Sequence, residues 1–599
     1  MKMNPFLLTD FYKLTHLLQY RPELRELTSY LTPRGSRLKG VDKVVFFGLS
    51  AYVHSYIVEN FRENFFTRNF EYCECEIREV LELGLGYTDE MIDKTIGYFK
   101  ALHSLGYLPV EINAVPEGTL VPMGVPCLEI KSTNPEFFWV GQALEASLSA
   151  AIWHPMVSAT IAREYRKITR GAFSATVENG IDERTSMCDF SMRGQESNES
   201  AVNASVAWLT SMWNSSTVAA RKHIKDVYTK LSTRDKMTSS IIRGLTSTEH
   251  SVMTSHACLD GGDEIPTFKY LFELYKNVSF AAVCDSYDFW NVLTNILPNN
   301  FMEEINERGK RGVFIGVRHD SAEPLDALCG NVPVINVLGV KELPDYMVDG
   351  DTKLYAISIT LEEMERIRSL TVCGKVAIGE EDLVYQINAI KGDGFNRRIT
   401  NDGNEIGWAL ATCLNRPRTW EEKGMVESMY EIFGGNINSK GFKVLNPGIK
   451  AVYGDSITIT RAKKIYERLA AKGFAANNVS LGVGSFSFQA LENEDGSLSP
   501  FTRDTFSICV KCSHSKYYDE NGEIQERFVY KDPKGWSSKK STRGLCQIYF
   551  DEKGELTYKD EKYEKDLIGA NSALISYFKD GKEYKQNFEE VRRTIDENL

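Results

Sequence analysis

Glu249-His250-Ser251 puts a carboxylate, an imidazole and a hydroxyl into three consecutive positions, directly after Ser247-Thr248. Histidine is the side chain that exchanges a proton, or accepts a phosphoryl group, near neutral pH. The chain has nine histidines, and an isolated one is more often a hydrogen-bonded structural residue, so the company of His250 carries the argument. Four short apolar runs, 278–284, 313–317, 449–453 and 479–483, pass into polar or glycine-containing loops. The loops read Asp285-Ser286-Tyr287-Asp288, Arg318-His319-Asp320-Ser321, Gly454-Asp455-Ser456 and Gly484-Ser485. Repeated strand-then-loop units predict a parallel barrel or a doubly wound sheet, whose ligands sit at the carboxyl ends of the strands. The backbone amides of Gly454-Asp455 and Gly484-Ser485 suit a phosphate monoester. Arg318, Arg193 and Arg503 add bidentate donors for phosphate, and Asp320 and Asp455 can accept from sugar hydroxyls. A sugar phosphate fits this combination. Neither a GxxxxGK[ST] loop nor a GxGxxG turn after a strand is present, so the usual triphosphate and dinucleotide fingerprints are missing.

These loops need a scaffold. Thr9-Asp10 reads as a helix start, with Phe11, Leu14, Leu17 and Leu18 at helical spacing behind it. Residues 40–112 read as further helices, and 110–132 as short strands broken by Pro116-Glu117-Gly118 and Pro122-Met123-Gly124. A long helical region follows Pro135 and runs to about Phe173 with one break near Pro155. An amphipathic helix spans 458–472. The length of 599 residues exceeds one hydrophobic core and predicts two or more domains. A formal charge of -12 argues against a general polyanion binder, so no nucleic-acid partner is expected. The twelve cysteines show no repeated pair spacing of a zinc site and read as thiols in a reducing compartment. With no signal-peptide pattern and no long apolar run, the expected location is the cytosol, without membrane attachment.

Several motifs together carry a resemblance. Leu8-Thr9-Asp10-Phe11-Tyr12-Lys13, Asp189-Phe190-Ser191-Met192-Arg193-Gly194, Glu249-His250-Ser251, Cys284-Asp285-Ser286-Tyr287-Asp288, Arg318-His319-Asp320-Ser321, Asn438-Ser439-Lys440-Gly441-Phe442, Thr502-Arg503-Asp504 and Lys531-Asp532-Pro533 occur in this order. In order and spacing the chain resembles the nicotinamide phosphoribosyltransferases of the type II phosphoribosyltransferase family. The resemblance implies an irregular α/β barrel plus an α/β domain formed from both chain termini, working as a homodimer with shared sites. The implied domains are 1–150 and 491–599 for the terminal domain and 151–490 for the barrel, with an inserted subdomain at about 327–418. The implied reaction joins nicotinamide to 5-phosphoribosyl 1-pyrophosphate, giving nicotinamide mononucleotide and pyrophosphate. By the same resemblance Phe190, and Tyr12 from the second subunit, sandwich the pyridine ring; Arg318 reaches the carboxamide and Asp320 the ribose. Arg193, Gly454, Asp455, Gly484 and Ser485 surround the 5′-phosphate, while Arg34, Arg503 and Lys511 meet the pyrophosphate with Mg2+. His250 matches a histidine phosphorylated by ATP, which makes ATP an activating co-substrate; Asp285 orients it and Glu249 adjoins it.

The chain departs from the pattern at Ser216, where nicotinamide enzymes carry an aspartate and nicotinate enzymes tend to carry a serine. An aspartate accepts from an amide and repels a carboxylate, whereas a hydroxyl tolerates either. Nicotinate phosphoribosyltransferase is therefore the alternative activity, and a non-catalytic pyridine-nucleotide binder a third. Ser485 stands in place of a glycine of the second phosphate loop. A shorter insertion at about 229–243 precedes Glu249 and reads as a lid, and Lys534, Lys539, Lys540 and Arg543 form a basic group.

Overall fold

The computed structural model describes residues 3–229, 243–343, 353–360, 363, 374–391, 398–399, 405–454, 456–493, 496–532 and 541–599. Asp455, the segment 230–242 read as a lid, and Lys534, Lys539 and Lys540 lie outside the described residues. The chain divides into two units. Unit 1 comprises Met1–Arg166, Asp189–Arg243 and Ser485–Leu599, and unit 2 comprises Lys167–Cys188 and Gly244–Gly484.

Unit 2 is built on a sheet of short apolar strands: β1 beginning at Met187, β2 Thr246–Ser247, β3 Phe280–Val283, β4 Ile315–His319, β5 Ile449–Tyr453 and β6 Val479–Val483. They lie side by side in the order β1-β6-β5-β4-β3-β2. The β2–β3, β3–β4, β4–β5 and β5–β6 pairs are all parallel. All four residues of β3 are buried, the near-continuous apolar pattern of a strand covered on both faces. The four apolar runs of the sequence are thus four adjacent parallel strands, and their polar loops share one edge of the sheet.

Helices return the chain between strands. The helix Ile459–Ala471 starts where the Thr458 hydroxyl accepts from the Arg461 amide. It buries Ala462, Ile465, Tyr466 and Leu469, spaced as one helical face. At the opposite edge of the sheet, the fully buried Arg308 donates to the carbonyls of Tyr275 (3.0 Å), Val278 (2.6 Å) and Phe314 (3.1 Å). Those carbonyls belong to the segments that lead into β3 and β4, and the guanidinium also lies over the Phe280 ring at 4.9 Å. The buried charge is tolerated because both terminal nitrogens of the guanidinium donate to carbonyls.

The segment read as an insertion carries its own sheet, antiparallel except where the edge strand Val334–Ile335 pairs parallel with Lys375–Ile378. Its strands run in the order Val334–Ile335, Lys375–Ile378, Leu383–Lys391, Glu405–Pro417, Leu354–Thr360, Gly339–Glu342. Ile335, Ile357, Ile359, Val376, Ile378, Tyr385, Ala409 and Ala411 form a separate hydrophobic core there. At its base the Arg418 guanidinium pairs with Asp382 at 2.8 Å and Glu427 at 2.6 Å, which lets the cation stay buried.

Unit 1 joins both ends of the chain in one sheet. The order is Ile524–Phe528, Ile508–Tyr518, Leu24–Pro33, Leu128–Ser132, Val110–Ala114, Ile575–Lys579, Lys582–Glu583. Leu24–Pro33 pairs antiparallel with Ile508–Tyr518 on one side and Leu128–Ser132 on the other, and the three N-terminal strands lie together between C-terminal strands on both sides. The buried Glu117 carboxylate accepts from the amides of Gly48 and Ser50, both at 2.9 Å, and from the Tyr228 hydroxyl at 2.8 Å. The expected helix start appears as Phe11–Gln19, with Asp10 as its N-cap residue. Two local expectations change. Residues Lys43–Val45 form a strand paired with Leu120–Pro122, and the helices begin only at Leu49. No break occurs at Pro155, because the helix Glu145–Thr176 runs through it. The proline ring instead packs on Gly48, where a β-carbon would come within 2.6 Å of it.

Replacing Arg308 with Met should cost about 3 kcal/mol, since three buried carbonyls lose their donor. Urea unfolding followed by intrinsic fluorescence checks this, and an unchanged midpoint would show that the carbonyls are satisfied otherwise.

Candidate functional site

The strands of the unit 2 sheet deliver polar side chains or glycine amides at their carboxyl ends. After β2, the Thr248 hydroxyl accepts from the Val283 amide (2.9 Å) and the Thr248 amide donates to the Ala281 carbonyl (3.0 Å). This fixes the start of the helix His250–Ala257, whose first residue is His250. After β3 comes Asp285, with a side chain only 4% exposed, whereas that of His250 is 50% exposed. The His250 Nε2 lies 3.2 Å from Asp285 Oδ1.

The other oxygen of Asp285 is held by the loop after β4. Oδ2 accepts from the Asp320 amide at 2.9 Å and from the Ser321 hydroxyl, and lies 3.4 Å from His319 Nδ1. Burial is the largest single influence on this carboxyl and pushes it up. Hydrogen bonds from His319, Ser321 and the Asp320 amide outweigh burial and hold the group well below the usual carboxylate range. Asp285 is therefore an anion presenting one free oxygen to an exposed imidazole. Glu249 does not join this pair: its carboxylate accepts from the Ser251 hydroxyl.

Arg318 and Asp320 form a second pair beside the first. The guanidinium donates Nε to Oδ1 at 3.0 Å and Nη2 approaches Oδ2 at 2.6 Å, a bidentate geometry. Asp320 Oδ1 also accepts from the Gly454 amide at 3.2 Å. A β-carbon on Gly454 would stand 2.5 Å from Arg318 Nε, so glycine is needed here for close approach. Gly484 follows directly on β6 and adds a further amide at the same end of the sheet.

The remaining candidates belong to unit 1. Asp189 is fully buried: Oδ1 accepts from the Ser191 amide at 2.8 Å, and Oδ2 from the hydroxyls of Ser205 (2.5 Å) and Ser215 (2.8 Å). Its own carbonyl accepts from the Ser216 amide at 2.9 Å. One carboxylate thus holds both the turn bearing Phe190 and Arg193 and the turn bearing Ser216. Arg193 and Ser216 are exposed and Phe190 is half-buried. The Ser485 side chain occupies the space beside Gly194, where a β-carbon would come within 2.1 Å of its Oγ. The serine that departs from the phosphate-loop pattern is accommodated by a glycine opposite.

Arg34, Lys511 and Arg503 converge on Cys509. Burial pushes the Cys509 thiol up, and these three cations pull in the opposite direction. Arg503 also acts on Tyr12, whose ring is 57% exposed. Lys511 Nζ lies 3.7 Å from Glu145 and Arg503 Nη2 lies 3.3 Å from Asp504. Arg543 stacks on Tyr530 at 4.0 Å and pairs with Asp532 at 3.2 Å. Unit 1 also has a 1170 Å³ groove lined by Leu8, Tyr52, Tyr56, Ala150 and Val202, and none of the site residues anticipated from sequence lines it.

Two participants had no role assigned from sequence. His319 was legible only as part of a motif, and Asp189 only as the start of one. For His319 the available signal was its place at a strand end beside two aspartate-bearing loops; for Asp189 no local signal separates a buried organiser from a surface acid. Among the described residues there is no cluster of three His, Cys, Asp or Glu suited to hold a metal ion.

A carboxyl whose folded pKa is depressed stabilises the fold above its unfolded pKa, and that stabilisation fades as pH falls towards the folded value. Between about pH 4 and about pH 2 the wild-type chain should therefore lose unfolding free energy more steeply than Asp285→Asn. Urea titrations at each pH measure both slopes, and identical slopes would mean that the folded state does not hold Asp285 as an anion.

Comparison with known proteins places this geometry. The family model described as the nicotinate phosphoribosyltransferase (NAPRTase) family matches residues 185–363 and 415–564, more than half of the chain. The interruption falls inside the inserted sheet. The model of the nicotinamide phosphoribosyltransferase N-terminal domain matches residues 4–71. A nicotinamide phosphoribosyltransferase of Acinetobacter baylyi is 28% identical, covering 100% of this chain and 98% of the relative. One of Mycoplasma pneumoniae is 25% identical over 82% of this chain and 87% of its own. Among solved structures, nicotinate-nucleotide pyrophosphorylase from Pyrococcus furiosus aligns at 12% identity and a TM-score of 0.47, covering 99% of this chain and 95% of that one. Human nicotinic acid phosphoribosyltransferase aligns at 15% identity and a TM-score of 0.44, covering 98% and 93%. The chain belongs to the nicotinate phosphoribosyltransferase family and is a phosphoribosyl-transferring enzyme, a pentosyltransferase.

Proposed function

We propose that this enzyme transfers the 5-phosphoribosyl group from 5-phosphoribosyl 1-pyrophosphate to nicotinamide, giving nicotinamide mononucleotide and pyrophosphate for NAD salvage. The observation that carries the reading is the set of strand ends in unit 2, where the Arg318–Asp320 pair under Gly454 adjoins the Asp285–His250 pair. The activity named for the relatives and the N-terminal match support nicotinamide as the acceptor.

In this reading the ring nitrogen attacks C1 of the ribose as the bond to pyrophosphate breaks, and positive character builds on the sugar. Arg318 donates to the carboxamide oxygen and Asp320 accepts from a ribose hydroxyl. Phe190 covers one face of the pyridine, and Tyr12 of the partner subunit in a homodimer covers the other. The amides of Gly454 and Gly484 donate to the 5′-phosphate, a group for which Arg193 and Ser485 are the unit 1 candidates. Arg34, Arg503 and Lys511 receive the departing pyrophosphate. With three cations and no carboxylate cluster among the described residues, Mg2+ fits as a companion of the substrate's pyrophosphate, not as an ion caged by the chain.

His250 accepts the γ-phosphoryl group of ATP. Because Nε2–H donates to Asp285, Nδ1 is the free nitrogen: the N–P bond forms there, the bond to ADP breaks, and Asp285 balances the positive imidazole. Glu249 shapes the entry to this helix. No described helix is long and apolar enough to cross a membrane. The described cysteines are free thiols, which accords with a cytosolic setting.

Nicotinate is the second reading, favoured by the exposed Ser216 in place of an acid. Chromatography of products from 5-phosphoribosyl 1-pyrophosphate and Mg2+, with nicotinamide and nicotinate in parallel and with or without ATP, decides between them. Nicotinamide mononucleotide should predominate and rise with ATP. Predominant nicotinate mononucleotide makes the second reading correct, and binding of the mononucleotide without turnover makes the chain a binder. Ser216→Asp should shift the kcat/KM ratio about tenfold further towards nicotinamide; an unmoved ratio would place amide recognition elsewhere. Gly454→Ala should raise the KM for nicotinamide about tenfold by displacing Arg318, and steady-state kinetics would show otherwise if the guanidinium has room to move.

A further inference from the structure

Asp285 lies between two imidazoles. His250 meets Oδ1 at 3.2 Å and is half exposed, while His319 Nδ1 approaches Oδ2 at 3.4 Å and is 6% exposed. The His319 ring is fixed by stacking on Phe289, with centroids 4.0 Å apart and planes inclined by 29°. Phe289 begins the short helix after the Asp285 loop, and His319 ends β4. The contact therefore ties the loops after two adjacent strands to each other.

His319 Nδ1 also lies 3.3 Å from the Ser321 amide. It cannot accept from that amide and donate to Asp285 at once. The carboxylate selects the Nδ1–H form, because an imidazole lone pair facing an anion is repelled. Oδ2 is then saturated by His319, Ser321 and the Asp320 amide, and Oδ1 alone remains for His250.

We propose that His319 is a positioning residue for phosphorylation of His250: its Nδ1–H anchors Oδ2 of Asp285 and so aims Oδ1 at His250 Nε2. The inference rests on the phosphohistidine reading given above. In that step Nε2–H stays on His250, the γ-phosphoryl group moves from ADP to Nδ1, and Asp285 stabilises the resulting cation. Outer residues that orient a histidine through a carboxylate act in this way at metal sites. Here the oriented histidine is a nucleophile.

The test uses the full chain with radiolabelled ATP and Mg2+, reading acid-labile label on His250. His319→Phe keeps an aromatic ring on Phe289 but has no donor, and His319→Asn keeps a donor near the Nδ1 position. His319→Met is a second donorless variant, used where the phenylalanine does not fold, as judged by thermal melting. At saturating ATP the labelling rate should fall about tenfold in the donorless variant and recover to within about threefold of wild type in His319→Asn. The ATP concentration for half-maximal rate should move by less than about twofold, because the anchor acts on the nucleophile and not on ATP binding. A donorless variant labelled at the wild-type rate overturns the inference alone, as does an asparagine variant as slow as the donorless one. A wild-type chain that takes no label removes the phosphohistidine reading and the inference with it.

Discussion

The two oxygens of one carboxylate organise the centre of unit 2. Asp285 has an oxygen saturated by the β4 loop and an oxygen left for His250, and this division holds only if β3 and β4 stop level with each other. The register of the parallel pair supplies that condition: Val283 lies opposite Arg318, and the Cys284 amide donates to the Arg318 carbonyl at 2.9 Å. A slip of one residue would turn Arg318 to the other face and take Asp285 away from the Asp320 amide. The buried Arg308 acts at the opposite end of the same strands, where its three carbonyl contacts hold the approaches to β3 and β4. Precision at the carboxyl ends therefore depends on a charge buried at the amino ends.

Close approach is the second theme. Gly454 admits the Arg318 guanidinium and Gly194 admits the Ser485 side chain, each at a distance no β-carbon would tolerate. Neither glycine is needed for an unusual backbone angle. They are needed for the absence of an atom, which matters because a planar guanidinium keeps both its hydrogen bonds to a carboxylate only while it lies flat. In unit 1 the three cations around Cys509 repel one another, and among the described residues Lys511 and Arg503 have carboxylates close by, at 3.7 Å and 3.3 Å. An arrangement of that kind is more stable with a polyanion present than without one.

Much of this could be read from the chain itself. The four apolar runs became β3 to β6 because predominantly apolar segments of five to seven residues suit strands covered on both faces. Their polar ends came together because, in a parallel sheet, consecutive carboxyl ends meet at one edge. Pro155 misled for a physical reason: a proline removes one amide from a helix, but 31 other residues and its packing on Gly48 keep the helix Glu145–Thr176 intact. The Asn438-Ser439-Lys440-Gly441-Phe442 motif proved to be a turn, in which Asn438 Oδ1 accepts from the amides of Lys440 and Phe442.

What the sequence determined by itself was the kind of chemistry and where along the chain it lies, because residue type, strand length and loop position are local properties. Tertiary structure alone decided which charges became partners. Glu249 stands next to His250 in sequence yet bonds to Ser251, while Asp285, 35 residues away, holds the imidazole. His319 looks like any residue between Arg318 and Asp320 until stacking on Phe289 brings its ring against the Asp285 carboxylate. Hydrogen bonds act over about 3 Å, and which groups come that close is set by how separate strands register against one another, a quantity no single stretch of sequence contains.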